Sequence, residues 1–202
     1  MKSWSIWFPI VLLAGCGIGG VSRYDYAMNG VKLIAKSISN NQDSRAIRQD
    51  RYELNPEQRL LLRLEDLMDR QAHIATDHSD GISVEVTVAE GERNRLKLCP
   101  LTTQWMMLAT WNYAHPFGGR GRWQNEGGDF DPDRCMLPGN HTATRARFNI
   151  TQWFLNYPRA RGVNLGLILV ASDSVVIFGD ASPLEFPRIT YAQGSAGSRS
   201  ND

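Results

Sequence analysis

The chain has 202 residues, 42% of them hydrophobic and 21% charged, enough for one domain with a sizeable core or a smaller domain on a tether. Its 22 Lys and Arg stand against 21 Asp and Glu, a formal charge of +1. No basic patch is evident along the sequence, so nucleic acid, whose phosphates need neutralising, is not expected as a partner.

Met1 and Lys2 give a positive start, Trp4 to Leu13 is almost wholly apolar, and Leu13-Ala14-Gly15-Cys16 closes the run. That run is shorter than the roughly 20 residues that span a bilayer, and its small-residue ending before a cysteine is the pattern of a cleaved export signal. It resembles a bacterial lipobox. The resemblance implies that residues 1–15 are a lipoprotein signal peptide and that Cys16 becomes the acylated N-terminus, making the membrane a partner through a lipid anchor. Each buried methylene of such chains contributes about 0.8 kcal/mol. Gly17, rather than aspartate, follows Cys16. By the sorting rule of enteric bacteria this implies the outer membrane, with the domain periplasmic or surface-exposed.

Residues 16–51 read as a tether. They hold Gly17-Ile18-Gly19-Gly20 and a Ser, Asn and Gln-rich stretch from Ser37 to Ser44, with Val31, Ile34, Ala35 and Ile38 spaced for one short helix. Residues 52–192 read as the folded domain. Pro56 to Asp69 fits a helix by Leu60, Leu61, Leu64 and Leu67, or a strand with Leu60, Leu62 and Leu64 inward. Ile82, Val84, Val86 and Val88 alternate with more polar residues, and with Leu96 and Leu98 after a turn they predict a hairpin with one wet and one dry face. Ala146, Phe148 and Ile150 alternate with Arg145, Arg147 and Asn149 as a further strand, followed by a short helix from Thr151 to Asn156. Leu165 to Val170 and Val175 to Phe178 suit two buried strands joined by a turn, Ile189 and Tyr191 end the series, and residues 193–202 are a polar, disordered tail. The fold class expected is all-β: a jelly-roll β-sandwich with a short lipidated tether and one or two minor helices.

If Cys16 carries lipid, Cys99 and Cys135 remain as a pair in an oxidising compartment, and a disulfide between them would close a loop of about 36 residues. Such closure stabilises by roughly 3 to 4 kcal/mol. The alternative, two reduced cysteines acting as nucleophile or metal ligands, lacks a Cys-x-x-Cys motif or a neighbouring histidine.

Between those cysteines lies an unusual segment, Thr110 to Phe130, with Trp111, Tyr113, Trp123 and Gly127-Gly128-Asp129. It is either a binding site or the seal of a sandwich core. As a site, Trp111, Tyr113 and Trp123 would stack on sugar rings while Arg120 and Arg122 pair with uronic carboxylates. As a seal, the tryptophans pack inward, which is already the reading for Trp105 and Trp153. Asp129, Asp131 and Asp133 offer three carboxylates to Ca²⁺, which takes six to eight oxygens at about 2.3 to 2.6 Å. The bland alternative is a turn in which Asp129 caps backbone amides and Asp131-Pro132 starts a bend. His73, His78, His115 and His141 are scattered, no hydrolase or P-loop motif occurs, and Glu126 with Asp129 has no defined separation as an acid pair, so catalysis is not expected.

In order along the chain, Arg59-Leu60-Leu61-Leu62-Arg63-Leu64, Ile82 to Val88, Thr103-Gln104-Trp105, Ala109-Thr110-Trp111-Asn112, Trp123 and Gly127-Gly128-Asp129-Phe130 stand in a suggestive sequence. Phe148-Asn149-Ile150-Thr151 with Trp153, Val163-Asn164-Leu165-Gly166-Leu167 and Phe186-Pro187-Arg188-Ile189 before Tyr191 continue it. The series resembles the DNRLRE-type β-sandwich module over roughly residues 52–191. The resemblance implies a jelly roll on an exported protein, of a kind in part classed as carbohydrate-binding with affinity for acidic polysaccharides. It departs from that pattern in lacking the opening asparagine-tyrosine-glycine strand, in residues 66–80, and in the cysteine pair. The function expected is a lipid-anchored envelope module that recognises a polysaccharide or cell-surface glycan without catalysis. An accessory lipoprotein docking an envelope protein is the alternative, and a polysaccharide-degrading enzyme a third.

Overall fold

The computed structural model describes residues 25–27, 32–40, 50–65, 81–116, 121–139, 142, 144–156, 165–179 and 188–192. Residues 1–15, expected to be a signal peptide, Cys16, Arg120 and residues 193–202 lie outside the described residues.

Two antiparallel sheets face each other, as the alternating patterns require, and the all-β expectation is met. One sheet runs β1 (Asp25–Ala27), β12 (Arg188–Ala192), β5 (Ile82–Glu90), β11 (Val175–Phe178), β3 (Arg51–Leu54), with β9 (Arg145–Asn149) on the other edge of β5. The second runs β2 (Lys32–Ser39), β4 (Gln58–Glu65), β10 (Leu167–Ala171), β6 (Leu96–Pro100). A two-stranded ribbon, β7 (Tyr113–His115) with β8 (Gly121–Arg122), and one short helix, α1 (Thr151–Asn156), complete the described elements. The helix falls where Thr151 to Asn156 predicts it, and the Thr151 hydroxyl accepts the Ile82 N–H at 2.8 Å.

Between the sheets lies the main core. Leu60, Leu62 and Leu64 of β4, Leu167 and Leu169 of β10 and Leu98 of β6 meet Val84 and Val86 of β5, Phe148 of β9 and Ile177 of β11. Burial on this scale, at about 25 cal/mol per Å² of apolar surface, is the main term holding the two sheets together.

Two expectations change and one alternative is decided. Of the helix and the strand that Pro56 to Asp69 allowed, the strand forms, as β4 with Leu60, Leu62 and Leu64 inward: paired on one side by β2 and on the other by β10, its backbone finds partners only when extended. The tether reading of residues 16–51 gives way at 32–39, where β2 pairs with β4 along eight residues, Lys32 opposite Glu65 through Ser39 opposite Gln58. Its Lys36, Ile38 and Ser39 are buried. The hairpin from Ile82 to Leu98 is absent as well. A 3₁₀ turn at Arg93–Arg95 carries the chain from β5 across to β6 in the other sheet, so Leu98 packs opposite the valines instead of beside them. The turn at Ser172 to Ser174 does the same between β10 and β11. Two strands joined by a short turn thus close the sandwich rather than extend one sheet.

Candidate functional site

The four-stranded sheet buries both of its faces. With Leu60 and Leu62 directed into the sandwich, Leu61 must point outward, and it meets Ile168 of β10, which lies opposite both Leu61 and Cys99. Onto this outer patch folds the whole segment that follows β6. Ile38, Leu61, Cys99, Leu101, Trp105, Ala109, Trp111, Ala114, Trp123 and Ile168 form a second apolar cluster.

Each tryptophan of this roof is tied by a polar contact as well as by packing. Trp105, 1% exposed, donates Nε1–H to the Leu165 carbonyl at 3.1 Å, and Trp123, 6% exposed, donates to the Thr110 carbonyl at 2.9 Å. Trp111 is buried, and its carbonyl accepts the Gly127 N–H at 2.7 Å. The diglycine is required here. Gly127 has φ +82° and a Cβ there would sit 2.6 Å from the Trp111 ring; Gly128 has φ +112° and a Cβ would sit 3.0 Å from Ile168.

Of the two readings of the segment, sealing is therefore what Trp111 and Trp123 do: their indole faces are covered and cannot stack on a ligand. Tyr113 and Arg122 are different. They lie opposite each other in the β7–β8 ribbon, with the Arg122 guanidinium 5.4 Å from the Tyr113 ring centre, and Arg122 is exposed. Arg145 and Arg147 pair with the buried Glu85 across β9 and β5, at 3.5 and 3.1 Å.

The three aspartates separate by role. Asp129 is 3% exposed and accepts from Thr103 Oγ1 at 2.8 Å, Gln124 N at 3.0 Å and Asn125 N at 2.7 Å, the amide-capping arrangement the sequence also allowed. Asp131 accepts from Asp133 N at 3.1 Å and pairs with Arg134 at 3.3 Å. Among the described residues no three His, Cys, Asp or Glu side chains are grouped to hold a metal ion. Asp129→Asn, which turns two donors toward an amide, is expected to lower unfolding free energy by about 2 to 3 kcal/mol in urea titration. Loss of calcium-dependent stabilisation without that drop would instead support the cation role.

Cys99 and Cys135 form the expected disulfide, joining β6 to the end of the roof across 36 residues. Beside it opens a depression of about 310 Å³ lined by Arg59, Lys97, Phe130, Pro132 and Cys135, with Val170 and Ser172. Its register explains the charge. Leu169 lies opposite both Leu60 and Leu98, and Val170 opposite Lys97. One residue further along β4, Arg59 completes a row across three strands, with cations on both sides of Val170.

The guanidinium of Arg59 lies 4.9 Å from the Trp111 ring centre and 5.5 Å from that of Phe130, and Nη1 donates to the Gly127 carbonyl at 3.0 Å. Burial lowers its pKa from the ordinary arginine value, which still leaves it charged at neutral pH. Among the described residues neither Arg59 nor Lys97 has a carboxylate partner. Sequence reasoning missed this pair, although Leu60-Leu61-Leu62, apolar on both faces, signals a strand covered on both sides and so places Arg59 under the cover.

Comparison with known proteins assigns no family: no family model matches the chain, and no curated protein matches it.

Proposed function

We propose that the protein is a lipid-anchored module of the bacterial envelope that recognises a polysaccharide or cell-surface glycan without catalysis. The observation that carries this reading is the depression beside the disulfide. A half-buried guanidinium and an exposed ammonium, neither matched by a carboxylate among the described residues, flank an aromatic face and two prolines, Pro56 and Pro132. Pyranose rings offer flat C–H faces to such a surface, and uronic carboxylates would supply the missing negative charge. Half-buried Tyr113 and exposed Arg122 offer a second aromatic and cationic pair of the same chemistry. A rigid sandwich whose loop is locked by a disulfide suits recognition, since little order has to be gained on binding.

The test is a glycan array probed with secreted chain lacking the first 16 residues, with and without Ca²⁺. Binding to at least one glycan, weakened about tenfold or more by Lys97→Ala as expected for loss of a charge-assisted contact, supports the reading. Failure to bind any glycan under either condition overturns it. Stoichiometric co-purification of an envelope protein with the lipidated form would then point to the docking role.

A further inference from the structure

From Arg93 to Asn125 the sequence contains no aspartate or glutamate, while Arg93, Arg95, Lys97, Arg120 and Arg122 are basic. In the middle of this stretch Met106, Met107 and Leu108 stand 42%, 37% and 52% exposed. Single exposed apolar residues are ordinary on a protein surface; three consecutive large ones on a fixed turn mark an interaction site. The turn is fixed by hydrogen bonds from Met106 N to the Ala114 carbonyl at 3.0 Å and from Ala109 N to the Met106 carbonyl at 2.8 Å. Trp105 before it and Ala109 after it are fully packed, so the three side chains cannot fold back into the roof.

The placement of the turn gives the occupant. Three short crossings between the sheets among the described residues, at Asn55 to Glu57, Arg93 to Arg95 and Ser172 to Ser174, lie at one end of the sandwich. Trp105 is held at the other end, by the Leu165 carbonyl just before β10 and by Arg63 near the end of β4, 5.1 Å from its ring centre. The chain also comes in at that end: Asp25 lies opposite Ala192, one step beyond the Tyr191–Ile82 pair that begins β5. Only nine chain steps separate Asp25 from Cys16. At full extension they reach about 30 Å.

We infer that Met106, Met107 and Leu108 insert into the surface of a bilayer bearing anionic lipid headgroups. The inference rests on the lipid-anchor part of the proposed function, because the short link from Cys16 would hold this end of the sandwich against the membrane. Methionine and leucine enter the acyl boundary, and the turn from Trp105 to Ala109 that carries them holds no acid to repel negative headgroups.

With Cys16 acylated and Cys99 bonded to Cys135, Met107→Cys supplies the single free thiol of the mature chain, as Leu137→Cys, at an exposed position away from the turn, does in a second variant. The full lipidated protein is placed in vesicles of phosphatidylethanolamine and phosphatidylglycerol, and each thiol carries a nitroxide spin label. Greater collision with dissolved oxygen and less with an aqueous nickel chelate at position 107 than at 137 is expected; equal water access at the two positions would overturn the inference. In a separate arm, mature chain carrying Cys16→Ser is exported behind a non-lipoprotein signal. Adding Met106→Ser, Met107→Ser and Leu108→Ser should lower its partition onto the same vesicles about tenfold, and unchanged partition refutes the role of the turn. If the mass of the N-terminal peptide shows no acyl chains, the anchor reading fails, and this vesicle arm alone decides the turn.

Discussion

Trp123→Ala is expected to lower the free energy of unfolding by about 3 to 5 kcal/mol, the range for truncating a core aromatic. Trp123 is 6% exposed, packs in the cluster over the outer face of the four-stranded sheet, and donates its indole N–H to the Thr110 carbonyl at 2.9 Å. Truncation leaves a cavity between the roof and the sheet and strands a backbone carbonyl. Urea titration measures it, with the midpoint falling and the slope unchanged. Tyr113→Ala, at a half-buried ribbon position, should cost much less stability. A Trp123→Ala protein that melts like the parent yet loses a glycan would return Trp123 to the surface as a stacking residue.

Removing the disulfide is expected to be comparable. Cys99→Ala with Cys135→Ala opens a loop of 36 residues that contains the whole aromatic roof, and loop-closure entropy assigns about 3 to 4 kcal/mol to that constraint. Cys99 is fully buried against the outer face, so its replacement also trims the second cluster. Local opening should exceed the global loss. Hydrogen exchange is expected to rise most for the Gly127, Gln124 and Asn125 amides, which hold the roof through Trp111 and Asp129, while amides between β5 and β9 change least. A stability loss below about 1 kcal/mol would show that the bond does not constrain the unfolded chain as the loop-closure picture requires.

Strands with strict alternation were legible in the sequence. Val84, Val86 and Val88, and Ala146 with Phe148, line one face, and that pattern is local to each strand. Thr151 to Asn156 was also expected as a short helix, and it forms one. β2 was not, since Lys36, Ser37 and Ser39 look like solvated tether until β4 supplies backbone partners along their length. The position of Arg59 was legible only in part: Leu60-Leu61-Leu62 signals a covered strand, but nothing nearby shows that the cover is a segment some fifty residues downstream. The Cys99–Cys135 pair followed from the expectation that Cys16 is set aside for lipid, and the structure forms it.

Composition and pattern by themselves determined that this chain is built of strands and that the stretch around Trp111 and Trp123 needed a special reason to exist. Which reason applies was decided by tertiary structure alone. A tryptophan's role depends on which surface its ring meets, and that surface is assembled from β4, β10 and β6, strands far apart in sequence. Their outward leucine, isoleucine and cysteine form the apolar floor on which Trp111 and Trp123 close, which leaves Arg59 half-buried beneath Trp111 and Phe130, and Lys97 and the Met106 to Leu108 turn facing outward.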